Sequence, residues 1–480
     1  MKLSMFEVLS QREIAMIHAA SLRVLEECGV KVHSTKVLNL LEDGGCTVDR
    51  SSKICKFPRA LVEKCIQSVP SEFDLYDRNG SKILRIGDGT PYCASGHNAV
   101  FCIDPKTLER RYAKVQDVEE FGIISQWCES IDIVGVPLNP MDVAPCSTLL
   151  HATKALFETT TKPLFLSTES CAIVESLIEM MKAVAGAEDI GSCPNAIIQL
   201  SPSSPLFWDA NVAEGVVATS KAGIPLVLLP EPMSGVSSPY SVAGLLTEHN
   251  IELLSGVVIS QLAAPGAPLM YGSSWTTYDM RYSNALIGAP ETTLLRIAGC
   301  QMARFYHMPS HTTATNTDSN AHDEQHAWES VLSNIAAMNA QNDIVMNSGM
   351  FACGLTTSLE QLVMDNEMNR IIKRLMRGIE VTEESIAADS IIEIGPGGNF
   401  LMEDLTLDNL YSDEFFKPSI PMDLRYESWM AAGAPTVDVV AGTLARDILK
   451  KGNPVPLNEE TIQKLDAIIA KFENAQATHT

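Results

Sequence analysis

The sequence predicts an α/β fold: a (β/α)8 barrel with a helical region before it and a helical extension after it. Three observations point there. Eight short apolar segments recur between residues 91 and 390, each ending in small or polar residues. Stretches with helical spacing lie between them, and strands alternating with helices build parallel sheets, whose crossovers must be long. Eight such units are the number that closes a barrel. An open doubly wound sheet is the alternative arrangement.

The first ninety residues precede that rhythm. "REIAMIHAASLRVLEECGV" places apolar residues at helical spacing and stops at Gly29. "STKVLNLLEDGGC" repeats the plan, with Ser34 as N-cap and Gly44 and Gly45 as terminators. "FPRALVEKCIQSVP" is a third short helix, and "FDLYDRNGSKILRIGDG" reads as a hairpin turning at Asn79-Gly80. The eight strands then run "YCASGHN", "IDIVGVPLN", "KPLFLSTE", "AIIQLSPSS", "IPLVLLPEPMSG", "APLMYGSS", "MPSHTTATN" and "DIVMNSGMF". Helices such as "CAIVESLIEMMKAVAG" and "SVAGLLTEHNIELLSGVVISQLAA" connect them. No low-complexity linker divides the units. The division expected is 1–90 for the helical and hairpin region, 91–390 for the barrel and 391–480 for the extension packed on it.

Bulk properties exclude several function classes. The formal charge of −24 repels phosphates, so neither nucleic acid nor an anionic membrane surface is an expected partner. No uninterrupted run of about 18 apolar residues marks a membrane span. The twelve cysteines lie far apart with no CxxC pair, the usage of a reduced compartment. "MKLSMFEVLSQREIAMIHAA" carries charges within its apolar residues and does not read as a signal peptide. The expectation is a cytoplasmic protein, and its apolar fraction is compatible with a homo-oligomer.

In a barrel the active site sits where strands run into their following loops. Those ends offer His97, Glu231, Tyr271 to Ser274, His311 to Asn316, and Asn347 to Phe351. Just beyond the seventh strand stands "NTDSNAHDEQHAWES", with Asp318, His322, Asp323, Glu324, His326 and Glu329. His322 and His326 have the i, i+4 spacing of a zinc-binding helix. The residue after the first histidine is Asp323, one methylene shorter than the glutamate that chemistry uses, and a third ligand is undefined. No metal is therefore expected. A zinc hydrolase or lyase built on His311, Asp318, His322 and His326 stays as the reading of another class. A helix N-terminus whose acids favour the dipole explains Asp318, Asp323 and Glu324 without a metal.

That stretch resembles the trimethylamine methyltransferase family, together with "PEPMSGVSSPYSVAGLLTEHNIELLSGVVISQLAAPGAPLMYGS", "GGNFLMEDLT" and "FFKPSIPMDLRYESW". The likeness runs nearly the whole chain in order. It implies a TIM barrel that passes a methyl group from a methylated amine to Co(I) of a corrinoid (cobalamin) carried by a separate protein. No tightly bound cofactor is implied in this chain. The family's trimethylamine enzymes use pyrrolysine, whereas only the twenty ordinary residues occur here, so the chain resembles the non-pyrrolysine branch. A quaternary ammonium leaves as a neutral amine and needs no general acid. The donor implied is glycine betaine, giving dimethylglycine, with proline betaine, carnitine or γ-butyrobetaine as alternatives. A betaine-binding protein without catalysis is a further reading. One departure stands out: the family often has histidine before the threonine in its late motif, and "EDLTLDN" has Leu405 before Thr406.

For a betaine, aromatic faces replace the water around the ammonium, each contributing about 0.5–2 kcal/mol. The candidates are Phe207, Trp208, Tyr271, Trp275, Tyr278 and Phe351. Donors for the carboxylate are His97, His311, Thr312, Thr313 and Asn316, with Arg281 as a charged anchor. Glu231 counters the ammonium or pairs with a nearby base. Asp318, Asp323, Gln325 and Glu329 read as supports behind the site or as partner contacts, since the reaction needs no proton transfer. Gln325 and Glu329 share a helix face, and Asp323 lies on another.

Overall fold

The computed structural model describes residues 5–421 and 423–477. Its centre is a ring of eight parallel strands. They are β1 (Tyr92–Ser95), β2 (Val134–Gly135), β3 (Leu164–Ser167), β4 (Ala196–Leu200), β5 (Leu226–Leu228), β6 (Leu269–Ser273), β7 (Ser310–Thr313) and β8 (Ile344–Ser348). Each pairs with its sequence neighbour, β8 pairs back onto β1, and the Ala94–Ile133 bridge joins β1 to β2. The barrel is therefore the fold, not the open sheet. The helices of the outer ring are α1 (Val115–Trp127), α2 (Thr148–Thr159), α3 (Cys171–Ala185), α4 (Ala210–Lys221), α5 (Val242–Ala263), α6 (Pro290–Phe305), α7 (Glu324–Asn339) and α8 (Leu359–Arg377).

The strands are buried on both faces, which is why they read as nearly continuous apolar runs. Their inward residues form one interior cluster: Ala94, Ile133, Phe165, Ile197, Val227, Met270, Ile344 and Met346. The Asn79-Gly80 hairpin adds Leu75, Leu84 and Ile86 to that cluster, filling the barrel interior from its N-terminal end. The outward residues of the same strands join the much larger cluster beneath the helices. Gly272 marks how tightly the ring closes: a Cβ there would sit 2.3 Å from the Leu228 carbonyl oxygen.

α5 is long and apolar enough to match a membrane span, with a mean hydropathy of 1.3 over its best window. That window is 72% buried, wedged between the barrel and the N-terminal helices Gln11–Glu27 and Arg59–Ser68. Its apolar length serves two interfaces at once. At the other end of the chain, helix Val437–Lys450 packs on α8 and α1, and helix Glu459–Ala477 packs on α3 and α2.

Two buried carboxyls give the folded chain a pH signature. Burial pushes Glu252 and Asp365 each up to about 8. The folded chain then holds protons that the unfolded chain releases above about pH 4, so stability falls as pH rises between about 5 and 8. The urea midpoint is expected to be higher at pH 5.5 than at pH 8.5. Asp365→Asn and Glu252→Gln should flatten that slope; an unchanged slope in both would refute the assignment.

Candidate active site

At the C-terminal mouth of the barrel, polar side chains gather above a buried aromatic layer. Phe165, from the interior face of β3, stacks on His311 of β7 with ring centroids 5.0 Å apart and planes 17° from parallel. His97, just beyond β1, also packs against Phe165, tilted 52° with ring centroids 5.6 Å apart. Burial lowers the pKa of His97 to about 4 and of His311 to about 3, so both rings are neutral at pH 7. His311 Nε2 contacts the Met346 sulfur at 3.4 Å. The Nδ1 atoms of His97 and His311 are buried and have no hydrogen-bond partner within the protein.

Above the floor, inward positions alternate along the strands. Gln199 follows Ile197 on β4, and its Nε2 lies 3.3 Å from the Ser201 hydroxyl while its Oε1 has no partner. Thr313 follows His311, and its hydroxyl lies 3.5 Å from that of Ser274. Glu231 follows Val227 and Leu229, and it hydrogen-bonds Ser274. Glu231 lies three residues past the end of β5. Glu231 therefore stands well above the floor, its residue exposed to water. Protein nevertheless surrounds it, and this desolvation raises its pKa above the ordinary carboxylate value, with Glu169 adding to the effect.

The loop after β7 is held from behind. Arg296 of α6 is buried; it donates to the Thr313 carbonyl and, at 2.9 Å, to the Ile287 carbonyl. The Asn316 side chain meets Asn347 at 2.7 Å and, oriented to satisfy its neighbours, accepts from Arg296 at 2.7 Å. Burial lowers Arg296 to about 10, which leaves it cationic at neutral pH. The Asp318 carboxylate accepts from the backbone N–H groups of Ile287 at 2.8 Å and Gly288 at 3.1 Å. Glu329 accepts from the Asp318 N–H and the Thr317 hydroxyl, both at 2.8 Å, and from Gln325 at 3.0 Å. Gly288 makes this approach possible, since a Cβ there would lie 2.5 Å from the Glu329 carboxylate. Asp323 caps α7, accepting from His326 N–H at 2.9 Å.

These acids are thus a clamp on the loop. Asp318→Ala strands two backbone donors and is expected to cost about 2 kcal/mol of stability, read as a lowered urea midpoint; no shift would rule out the clamp.

His322 and His326 sit 5.6 Å apart with Phe351 against both rings. Among the described residues no three His, Cys, Asp or Glu side chains converge as a metal-ligand set.

Several expected residues stand elsewhere. After β4 the chain leaves the mouth, and Phe207–Trp208 pairs in parallel with Lys31 and Val32 in the N-terminal sheet. Phe207 meets His33 edge-on, and Trp208 is wholly buried, its indole donating to Ser255 on α5 at 2.8 Å. Tyr271 and Trp275 pack outward beneath the helices. Tyr271 hydrogen-bonds Asn250 at 3.1 Å, and Trp275 lies 4.5 Å from the His249 ring. The alternation of β6 explains this, because Met270 takes the inward position and its neighbour must face out. Phe351 is buried beside the α7 histidines. Arg281 lies on the exposed rim hairpin, 2.7 Å from Asp279. No aromatic cage forms from these residues, and Arg281→Ala is expected to leave KM within about twofold; a tenfold rise would return the anchor role to it. Of the expected binding residues, His97, Glu231, His311 and Thr313 come together, with Asn316 behind them. Phe165 and Gln199 were missed.

Comparison with known proteins gives a consistent picture. The family model described as trimethylamine methyltransferase (MTTB) matches residues 1–477. A trimethylamine methyltransferase of Desulfitobacterium hafniense is 34% identical over 97% of this chain and 94% of its own length. A glycine betaine methyltransferase of the same species is 28% identical over 97% of both. The solved monomethylamine methyltransferase of Methanosarcina barkeri aligns over 96% of this chain and 93% of its own, with a TM-score of 0.50 at 13% identity, a likeness of fold.

Proposed function

The chain belongs to the trimethylamine methyltransferase family, and from that premise we propose that it demethylates a quaternary amine of the betaine class, glycine betaine first among them. The methyl group passes to a corrinoid protein. The observation that carries this reading is Glu231, a carboxylate at the barrel mouth above polar groups that are uncharged. A zwitterion fits that order of charges. Its ammonium lies near Glu231, and its carboxylate points down to His97, His311, Gln199 and Thr313.

The chemistry favours this orientation. A quaternary ammonium donates no hydrogen bond and needs a counter-charge more than a donor. Neutral imidazoles and hydroxyls supply hydrogen bonds to a carboxylate without adding a proton-transfer group. With the ammonium outermost, one N-methyl faces the opening. A reduced corrinoid on the partner supplies the nucleophile, and the departing tertiary amine is neutral. This chain's residues bind, orient and compensate charge. The relative named for glycine betaine supports the donor class, and the ordinary residue set supports a donor that already carries its positive charge.

The test offers the protein a panel of betaines and trimethylamine with Co(I) cobalamin. Loss of the donor's methyl by NMR, matched by the visible-spectrum change of the cobalamin, is expected for one betaine. No turnover of any quaternary amine, or turnover of trimethylamine alone, would overturn the reading. Bound zinc with chelator-sensitive hydrolysis would install the alternative class.

A further inference from the structure

Three neighbouring strand ends at the mouth each pass through the left-handed region without a glycine. Thr315 lies just past β7 at φ +55°, Asn347 is the last residue but one of β8 at +92°, and Asn98 lies just past β1 at +62°. Such backbone is strained for a residue with a Cβ, and strain of this kind clusters at functional sites. Asn347 departs furthest, and it is buried, 7% exposed. Met346 before it is level with Thr313 on β7 and touches His311. On the other side, the Gly96 N–H donates to the Ser348 carbonyl at 2.8 Å, and a Cβ on Gly96 would lie 3.4 Å from the Asn347 Cα. Asn347 thus adjoins the segments that carry both mouth histidines. The pairing of β8 with β1 shifts register between Val345 and Ser348, and such an irregularity re-aims a side chain.

A buried cation fixes the order of the amide groups here. Arg296 donates and never accepts. Its hydrogen bonds go to neutral groups: the Thr313 and Ile287 carbonyls, the Thr293 hydroxyl at 3.4 Å and the Asn316 side chain at 2.7 Å. The Asn316 atom that faces Arg296 is therefore its oxygen. Its nitrogen then donates to the Ala314 carbonyl at 3.0 Å and to the Asn347 side chain at 2.7 Å. Asn347 must meet that nitrogen with its oxygen. Its own nitrogen takes the remaining amide position, which is buried and has no hydrogen-bond partner within the protein. Arg296, Asn316 and Asn347 form a relay that starts on a buried positive charge and ends on a buried N–H donor. Asp318 is the acid whose field reaches Arg296, and its carboxylate is held by the Ile287 and Gly288 N–H groups.

We propose that Asn347 is a specificity-determining residue of the mouth, its side-chain nitrogen donating to the carboxylate of the methyl donor. The assignment rests on the betaine reading above and adds the residue that tells a betaine from a plain quaternary ammonium. A quaternary ammonium offers nothing for an N–H to bond, so only the carboxylate end answers this group. A hydrogen bond to a charged acceptor is about twice as strong as a neutral one, and polarisation along successive amides strengthens it further. The relay turns the positive end of a buried charge toward the anion with no titratable group between them. Recognition therefore moves no proton.

Calorimetry of the full chain tests this with two ligands, glycine betaine and tetramethylammonium, which share the cation and differ in the carboxylate. Asn347→Asp keeps the shape and still accepts from Asn316, but it turns an anion toward the donor's carboxylate. Asn347→Gly suits the left-handed backbone and deletes the amide. The aspartate variant should bind betaine about a hundredfold more weakly and the glycine variant about tenfold, with tetramethylammonium held to within about threefold in the glycine variant and bound no more weakly in the aspartate variant. Both should keep the far-UV spectrum. Equal weakening of the two ligands would make Asn347 a support of the loop and overturn the assignment, as would betaine binding unchanged in both variants. If the unaltered protein binds no betaine, the donor class itself falls and this role with it.

Discussion

Replacing Glu231 with glutamine is expected to lower kcat/KM for the betaine donor by about a hundredfold. The change keeps the shape and one hydrogen bond to Ser274 but deletes the charge at the rim. Opposite unit charges about 4 Å apart interact by about 4 kcal/mol at an effective dielectric near 20. Water reaching the rim screens part of that, leaving roughly two decades at about 1.4 kcal/mol each. Most of the effect should appear in KM if the charge is felt equally before and during transfer. The protein should be no less stable, because desolvation already disfavours the ionised form.

The pH profile gives a separate reading of the same residue. The binding form of Glu231 is the carboxylate, and its pKa is raised. The rate therefore falls as pH drops through a value above the ordinary carboxylate range. Glu231→Gln should remove that acid limb. Burial lowers His97 and His311 while it raises Glu231, so the three groups move apart and the variant assigns the limb. A variant that keeps full activity, or that keeps the limb, would remove Glu231 from the site.

The eight strands were legible because buried parallel strands are apolar runs bounded by polar ends, and each quoted run holds a strand of the ring. Which face each residue takes was harder to read. "APLMYGSS" has no charged residue to fix the phase of its alternation, so Tyr271 and Trp275 read as mouth residues although Met270 owns the inward position. Glu231 does fix a phase. A carboxylate cannot point beneath the apolar helices, so Leu229 and Val227 on its strand face inward with it. Phe165 carries no such flag within "KPLFLSTE", where every residue of the run looks like core. Phe207–Trp208 was misplaced for another reason: its partner is Lys31–Val32, about 175 positions away, and no local pattern announces that pairing. The clamp of Asp318, Gln325 and Glu329 was legible as support, since i, i+4 spacing put Gln325 beside Glu329.

The Phe165 pair of substitutions should separate what the ring does for the fold from what it does for the site. Phe165 is fully buried and belongs to the barrel's interior cluster. Phe165→Ala leaves a cavity that close neighbours cannot fill, at a cost of about 3–5 kcal/mol. That is a large share of the 5–15 kcal/mol typical of a whole domain, so the urea midpoint should drop sharply. Phe165→Leu conserves most of the volume and should cost about 1 kcal/mol. It nonetheless removes the flat surface that sets His311 parallel at 5.0 Å and steadies His97 at 5.6 Å. Phe165 acts through those rings as a positioning residue. In the leucine variant KM should rise about tenfold with kcat nearly kept, because a loosened hydrogen bond to the donor's carboxylate is worth about 1.5 kcal/mol. The two imidazoles should also titrate closer to the free value near 6.5, up from about 4 and about 3, as NMR of the labelled rings would show. A merely structural phenylalanine would lower stability in the alanine variant and leave KM and both ring titrations untouched in the leucine variant; that outcome would detach the floor from substrate binding.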